Sequence, residues 1–217
     1  MRAVFQQELS SVHDGLVEIA ERVLDAIRNA TTAFNTADIA LADTVIGADP
    51  VIDQLAISLD ELALQILSRQ GPVARDLRVV VGALRMSAAL ERMGDLARHI
   101  AQLARRRYPL RVMPDALRDT FLELAAQDIR TAELLVRLIR TQDVHLADEL
   151  IAEDARIDEL HRSVFAAVLR PDWTGDAEQT VDVTLATRFF ERFGDQAVSI
   201  AKKVQYLSTG EWAPDRH

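Results

Sequence analysis

The stretch Glu91-Arg92-Met93-Gly94-Asp95-Leu96-Ala97-Arg98-His99-Ile100-Ala101 returns one hundred residues later as Glu191-Arg192-Phe193-Gly194-Asp195-Gln196-Ala197-Val198-Ser199-Ile200-Ala201. Seven of the eleven positions are identical, where average composition would give roughly one match. A repeat at that spacing marks two copies of one structural unit. On a helix, residues i and i+4 lie on one face, about 5–6 Å apart. Glu91/Asp95 and Glu191/Asp195 therefore pair like charges, at about 0.2–0.5 kcal/mol on an isolated helix. Gly94 and Gly194 each add about 0.8–1 kcal/mol against helix relative to Ala. Two unfavourable choices made twice point to a purpose beyond folding.

Helical periodicity runs through the rest of the chain. Val12, Leu16, Ile19, Val23 and Ile27 form one apolar stripe, and the pattern loosens from Thr31 to Asp38. Asp38 reads as the N-cap of a second helix reaching Gln70, with Pro50 predicting a kink or a break near Asp49. Gln70-Gly71-Pro72 stops that helix and starts a third, with proline at its first position. The third ends in Arg105-Arg106-Arg107, cations at a helix C-terminus. Residues 109–114, bounded by Pro109 and Pro114, read as a linker. A fourth helix carries Phe121, Leu124, Ile129, Ala132 and Leu135, and Asp143 caps a fifth. After the Pro171–Gly175 turn a sixth extends to Ser208. The expected architecture is all-α, two tandem pseudo-symmetric three-helix bundles of six long helices: residues 1–108, the linker 109–114, residues 115–208, and a frayed tail at 209–217.

The second helix repeats too. Asp38, Leu41, Ala42, Asp43, Ile46, Asp49, Ile52, Asp53 and Leu55 recur as the same residues at 143, 146, 147, 148, 151, 154, 157, 158 and 160. Each half thus holds two acidic i,i+4 pairs: Asp49/Asp53 with Glu91/Asp95, and Asp154/Asp158 with Glu191/Asp195. In the first hairpin Asp49 and Asp95 are equidistant from Pro72, as are Asp53 and Glu91. In the second, Asp154 and Asp195, like Asp158 and Glu191, are equidistant from Thr174–Gly175. Helices rise about 1.5 Å per residue, so equal distances from a turn mean equal heights. Four acids should meet in each hairpin. Uncompensated, they must be protonated, paired with arginine or bound to a cation. Arg92 and Arg192 are the expected charge compensators, and Gly94 and Gly194 the expected points of close packing. An all-oxygen ligand set suits magnesium, manganese or iron better than zinc.

Other chemistry is not supported. A net charge of −9 argues against general nucleic-acid binding. Zero cysteines exclude disulfides and thiolate sites, which fits the cytoplasm. No signal peptide or membrane span is apparent. No phosphate-cradling loop, nucleophile elbow or dinucleotide fingerprint occurs, so no enzyme is expected. Asp158-Glu159-Leu160-His161 resembles half of a di-iron motif, but Ala56 holds the aligned position in the first half, and His161 reads as an ordinary surface residue. A carboxylate-bundle metal store or redox protein is the alternative. Trp173 and Trp212 are candidate contact anchors in loops.

Gln70-Gly71-Pro72-Val73-Ala74-Arg75-Asp76-Leu77-Arg78, Leu90-Glu91-Arg92-Met93-Gly94-Asp95 and Phe190-Glu191-Arg192-Phe193-Gly194-Asp195 resemble the signature segments of the PhoU proteins of bacterial phosphate homeostasis. The resemblance implies metal clusters on the acids at 49, 53, 91, 95, 154, 158, 191 and 195, and a homodimer. It implies a negative regulator of phosphate uptake and of the phosphate-starvation (Pho regulon) response. Such a protein would be an adaptor between the ATPase subunit of the phosphate ABC transporter and a membrane sensor histidine kinase. Gln196, Ser199 and Lys202 depart from the family pattern and predict a thinner shell around the second cluster.

Overall fold

The computed structural model describes residues 2–210, and side chains from Val4 onward. It contains α1 (Arg2–Thr36), α2 (Ile39–Gln70), α3 (Ala74–Arg107), α4 (Arg118–Thr141), α5 (Val144–Val168) and α6 (Ala177–Thr209), with a 3-10 turn at Asp115–Leu117 before α4. No strand occurs among the described residues. No helix among them is long and apolar enough to cross a membrane. The tail read as frayed lies, from residue 211, outside the described residues, as does Trp212; Thr209 is still helical, and Gly210 caps α6 with φ 80°.

The capping chemistry acts where the sequence places it. Asp38 accepts a hydrogen bond from the Leu41 amide, Asp143 from His145 and Asp176 from Gln179, each worth about 1 kcal/mol against Ala. Gly71 closes α2 in the left-handed region, φ 52°. Three expectations need correction. The loosened pattern from Thr31 stays helical to Thr36, with the Thr31, Thr32 and Thr36 hydroxyls bonded back onto carbonyls of the preceding turn. Pro50 does not end α2, which runs on to Gln70. Pro72 lies outside α3, whose cap is Val73 and whose first residue is Ala74.

Helices α1, α2 and α3 pack on one another, as do α4, α5 and α6, and the halves join through α1 on α4 and α3 on α6. The repeat survives in contacts: Arg105 pairs with Asp43, while its aligned residue Gln205 donates to Asp148, the residue aligned with Asp43. The join is dry. Phe34 of α1, Phe121 of α4 and Phe190 of α6 are fully buried with ring centroids 5.3, 5.8 and 6.0 Å apart. Even the linker contributes, since Val112 and Met113 are buried in the same core. The arginine run does more than face a helix dipole. Arg106 and Arg107 pair with the fully buried Asp182 of α6, and Arg107 reaches Glu178 at 2.8 Å.

Candidate functional site

Asp49, Asp53, Glu91 and Asp95 lie within electrostatic reach of one another, as do Asp154, Asp158, Glu191 and Asp195. Each cluster sits between the middle of the second helix of its half and the middle of the third, where small residues let the helices close. A Cβ on Gly94 would lie 3.1 Å from Ile52 Cδ1, and one on Gly194 2.7 Å from Asp154 Oδ1 and 3.0 Å from Ile157 Cδ1. Both glycines stand at close helix approaches, and at Gly194 the atom admitted is a carboxylate oxygen. Gly194→Ala gains helix propensity of about 1 kcal/mol but pushes the Asp154 carboxylate aside. We expect a melting temperature within a few degrees of the parent, and any manganese affinity of the cluster at least tenfold weaker, read by titration.

The first cluster carries its own counter-charge. Arg98 Nε lies 2.5 Å from Asp49 Oδ2, its guanidinium also pairs with Asp95, and Arg92 Nη1 meets Asp95 Oδ2 at 3.0 Å. Asp49, 8% exposed, is pushed up by burial, with Arg98 opposing and Asp53 and Asp95 adding to the rise. Burial also pushes Asp95 up, but hydrogen bonds and charge from Arg98 and Arg92 outweigh it and hold the carboxyl below its usual value. Glu91 is raised by burial and by Asp95 and Asp53. Arg92 pairs with Asp95, and so does Arg98, three residues beyond Asp95 on the motif itself and absent from the shared pattern.

The second cluster lacks that guanidinium, because Val198 stands at the aligned position. Burial, then Asp158, Asp195 and Glu191, push Asp154 up to about 6, with Lys202 opposing. Glu191 is raised by burial and Asp195, against Arg188, which it meets at 2.6 and 2.7 Å. Asp195 is raised by burial and Asp158, against Arg188, Arg192 and His161. Arg192 thus compensates charge at a distance, and Arg188 is the direct partner. His161 is no ordinary surface residue. It is half-buried, its Nδ1 sits 3.1 Å from Thr187 Oγ1, and Phe165 packs edge-on at 5.0 Å.

One further acid lies beneath. Asp128 of α4 is fully buried, both carboxylate oxygens lack a hydrogen-bond partner, and burial followed by the charge of Asp154 raises its pKa well above the ordinary value. Its signal was in the sequence. Asp128 falls four residues after Leu124 and four before Ala132, on the buried face, whereas Ile129, assigned to that face, is only partly buried.

As these side chains stand, no group of three or more Asp, Glu or His among the described residues is drawn together tightly enough to hold an ion. The donor sets differ in their fitness to take one. Between Asp49 and Asp95 the guanidinium of Arg98 fills the place of a cation. Around Asp154 the opposing charge is Lys202, with Arg188 taken by Glu191, and the donors are hard oxygens, so their chemistry suits a hard cation.

A family model described as the PhoU domain matches the chain twice, at residues 16–104 and 121–204. The chain belongs to the PhoU family. The two matched copies are the two halves of the fold, and the PhoU resemblance read from the signature segments holds over the whole length. Phosphate-specific transport system accessory protein PhoU homolog 2 of Mycobacterium tuberculosis is 35% identical over 97% of this chain and 99% of its own. Homolog 1 of Mycobacterium leprae is 35% identical over 99% and 97%. The crystal structure of PhoU from Pseudomonas aeruginosa superposes with a TM-score of 0.86 at 25% identity, covering 95% of this chain and all of that one. These PhoU relatives are named as accessory proteins of phosphate-specific transport.

Proposed function

We propose that this chain is a negative regulator of phosphate uptake and of the phosphate-starvation response, with no turnover of its own. It would act as an adaptor between the transporter's ATPase subunit and a membrane sensor histidine kinase, as a cytoplasmic homodimer. The observation that carries this reading is the whole-length similarity to proteins named for phosphate-specific transport. An adaptor changes a partner only by preferring one of its states. The surfaces available for that are long helical faces, for Trp173 is not a free anchor: its Nε1 donates to Thr180 Oγ1 at 2.9 Å and its ring packs on the core.

Asp154, Asp158, Glu191 and Asp195 would hold a magnesium, manganese or iron ion, which supplies positive charge where four acids converge. In the first half Arg98 takes that role, so Asp49, Asp53, Glu91 and Asp95 would be closed to metal until it moves. Arg98→Val copies the residue at 198. The expected result is one additional manganese equivalent bound per chain, with cation-free stability lowered by about 1–3 kcal/mol. Unchanged stoichiometry would remove Arg98 from this role. The adaptor reading is tested by capture of the purified transporter ATPase subunit. Glu191→Ala should weaken capture at least threefold in manganese and leave it unchanged in chelator; equal capture under all conditions would separate the metal from partner binding.

A further inference from the structure

The seam where α3 meets α6 forms a half-open pocket of about 370 Å³ in which Arg78, Arg85 and Lys203 stand around walls of Leu77, Val81 and Leu207. Arg78 and Arg85 are seven residues apart, two turns on one face of α3, and Lys203 comes from the other half of the molecule. A Cβ on Gly82, between the arginines, would lie 3.0 Å from Leu207 Cδ1, so the helices meet closely there and fix the cations relative to one another. Among the described residues no carboxylate lines the pocket, in a chain whose net charge is −9.

That distribution is unusual for this molecule. Arg28, Arg98, Arg105, Arg106, Arg107 and Arg188 all meet an acid. Arg78, by contrast, keeps its Nε buried with no hydrogen-bond partner. Lys203 Nζ lies 3.1 Å from the Ser199 carbonyl and 2.5 Å from its hydroxyl, both neutral. Burial and the charge of Arg85 push the Lys203 ammonium below its usual pKa. Like charges held around a partly desolvated space oppose each other until an anion enters, and arginine forks match phosphate oxygens two at a time. The volume falls at the small end of the ~300–1,000 Å³ typical of small-molecule sites, and the aliphatic walls offer contact to more than oxygen.

We propose that the α3–α6 seam binds a phosphorylated small molecule, its phosphate on Arg78, Arg85 and Lys203 and its organic part against Leu77, Val81 and Leu207. Such a ligand bridges the two halves and ties them together. The site is separate from the carboxylate clusters and does not depend on a metal there.

The test is thermal melting and calorimetry of the full chain with AMP, pyrophosphate and inorganic phosphate at matched ionic strength. AMP is expected to bind saturably, raise the melting temperature by roughly 5–10 °C at a hundredfold excess over its Kd, and bind more tightly than inorganic phosphate. Arg85→Gln, at a solvent-facing position that leaves folding intact, and Arg78→Gln should each weaken binding at least tenfold, while Asp154→Asn leaves it unchanged. No saturable binding of any probe overturns the site, as does binding that survives both arginine substitutions. Inorganic phosphate binding as tightly as AMP overturns the assignment of the apolar walls.

Discussion

Phe190→Ala is expected to lower the stability of the whole chain by about 3–5 kcal/mol, the usual cost of truncating a buried phenylalanine. Phe190 is fully buried and its ring meets Phe34 and Phe121 at 5.8 and 6.0 Å. Those three rings come from α6, α1 and α4, so the cavity opens where the halves join. Backbone on three helices limits collapse into it, which places the loss at the upper part of that range. At this chain length 1 kcal/mol moves the melting temperature by about 2–4 °C, so a loss of about 4–5 kcal/mol gives a fall of roughly 8–20 °C. Because the core is continuous across the join, the parent should melt in one transition. Two resolved transitions in calorimetry of the parent, or a substitution that shifts only one of them, would contradict a shared core.

The second large effect is at Asp154. Its folded pKa, about 6, lies above the ordinary aspartate value of 3.8. The folded state therefore holds a proton that the unfolded chain releases, and cation-free stability declines as pH rises from about 4 through 6. The full shift corresponds to about 3 kcal/mol, but a partly solvated carboxylate is screened, and about 1 kcal/mol is expected. Glu191, Asp195 and Asp128 are displaced in the same direction, whereas Asp95, held low by arginine, contributes stability that is lost as pH falls. Manganese in excess should raise the melting temperature at pH 7.5 and have little effect at pH 4.5. Asp154→Asn should flatten the slope, raise the cation-free melting temperature by about 2–4 °C at pH 7.5 and abolish most of the manganese response. A manganese response of parental size in Asp154→Asn would place the ion elsewhere.

Much of this was legible in the chain because helices announce themselves by period and caps, and because duplication shows which positions matter. The equal distances from Pro72 and from Thr174–Gly175 set the four acids of each half within electrostatic reach of one another, since rise per residue is nearly constant. What a repeat cannot show is the residue that breaks it. Arg98 decides the electrostatics of the first cluster, yet it stands opposite Val198 and so fell outside the shared pattern. Asp128 was hidden for another reason: a single acid on an apolar stripe looks like a phase slip, and only packing reveals that it points inward. Arg106 and Arg107 read as a helix end because their partner Asp182 lies on a distant helix. Pairing across halves leaves no periodic trace.

The crossing between the halves has a practical consequence. Leu110 is 65% exposed while Val112 is fully buried and Met113 nearly so, so a protease reaches only the first part of that crossing. Cleavage beside Leu110 would sever the covalent tie and little else, since Val112 and Met113 remain seated among their neighbours. The two fragments should run separately on a denaturing gel and elute together from a sizing column.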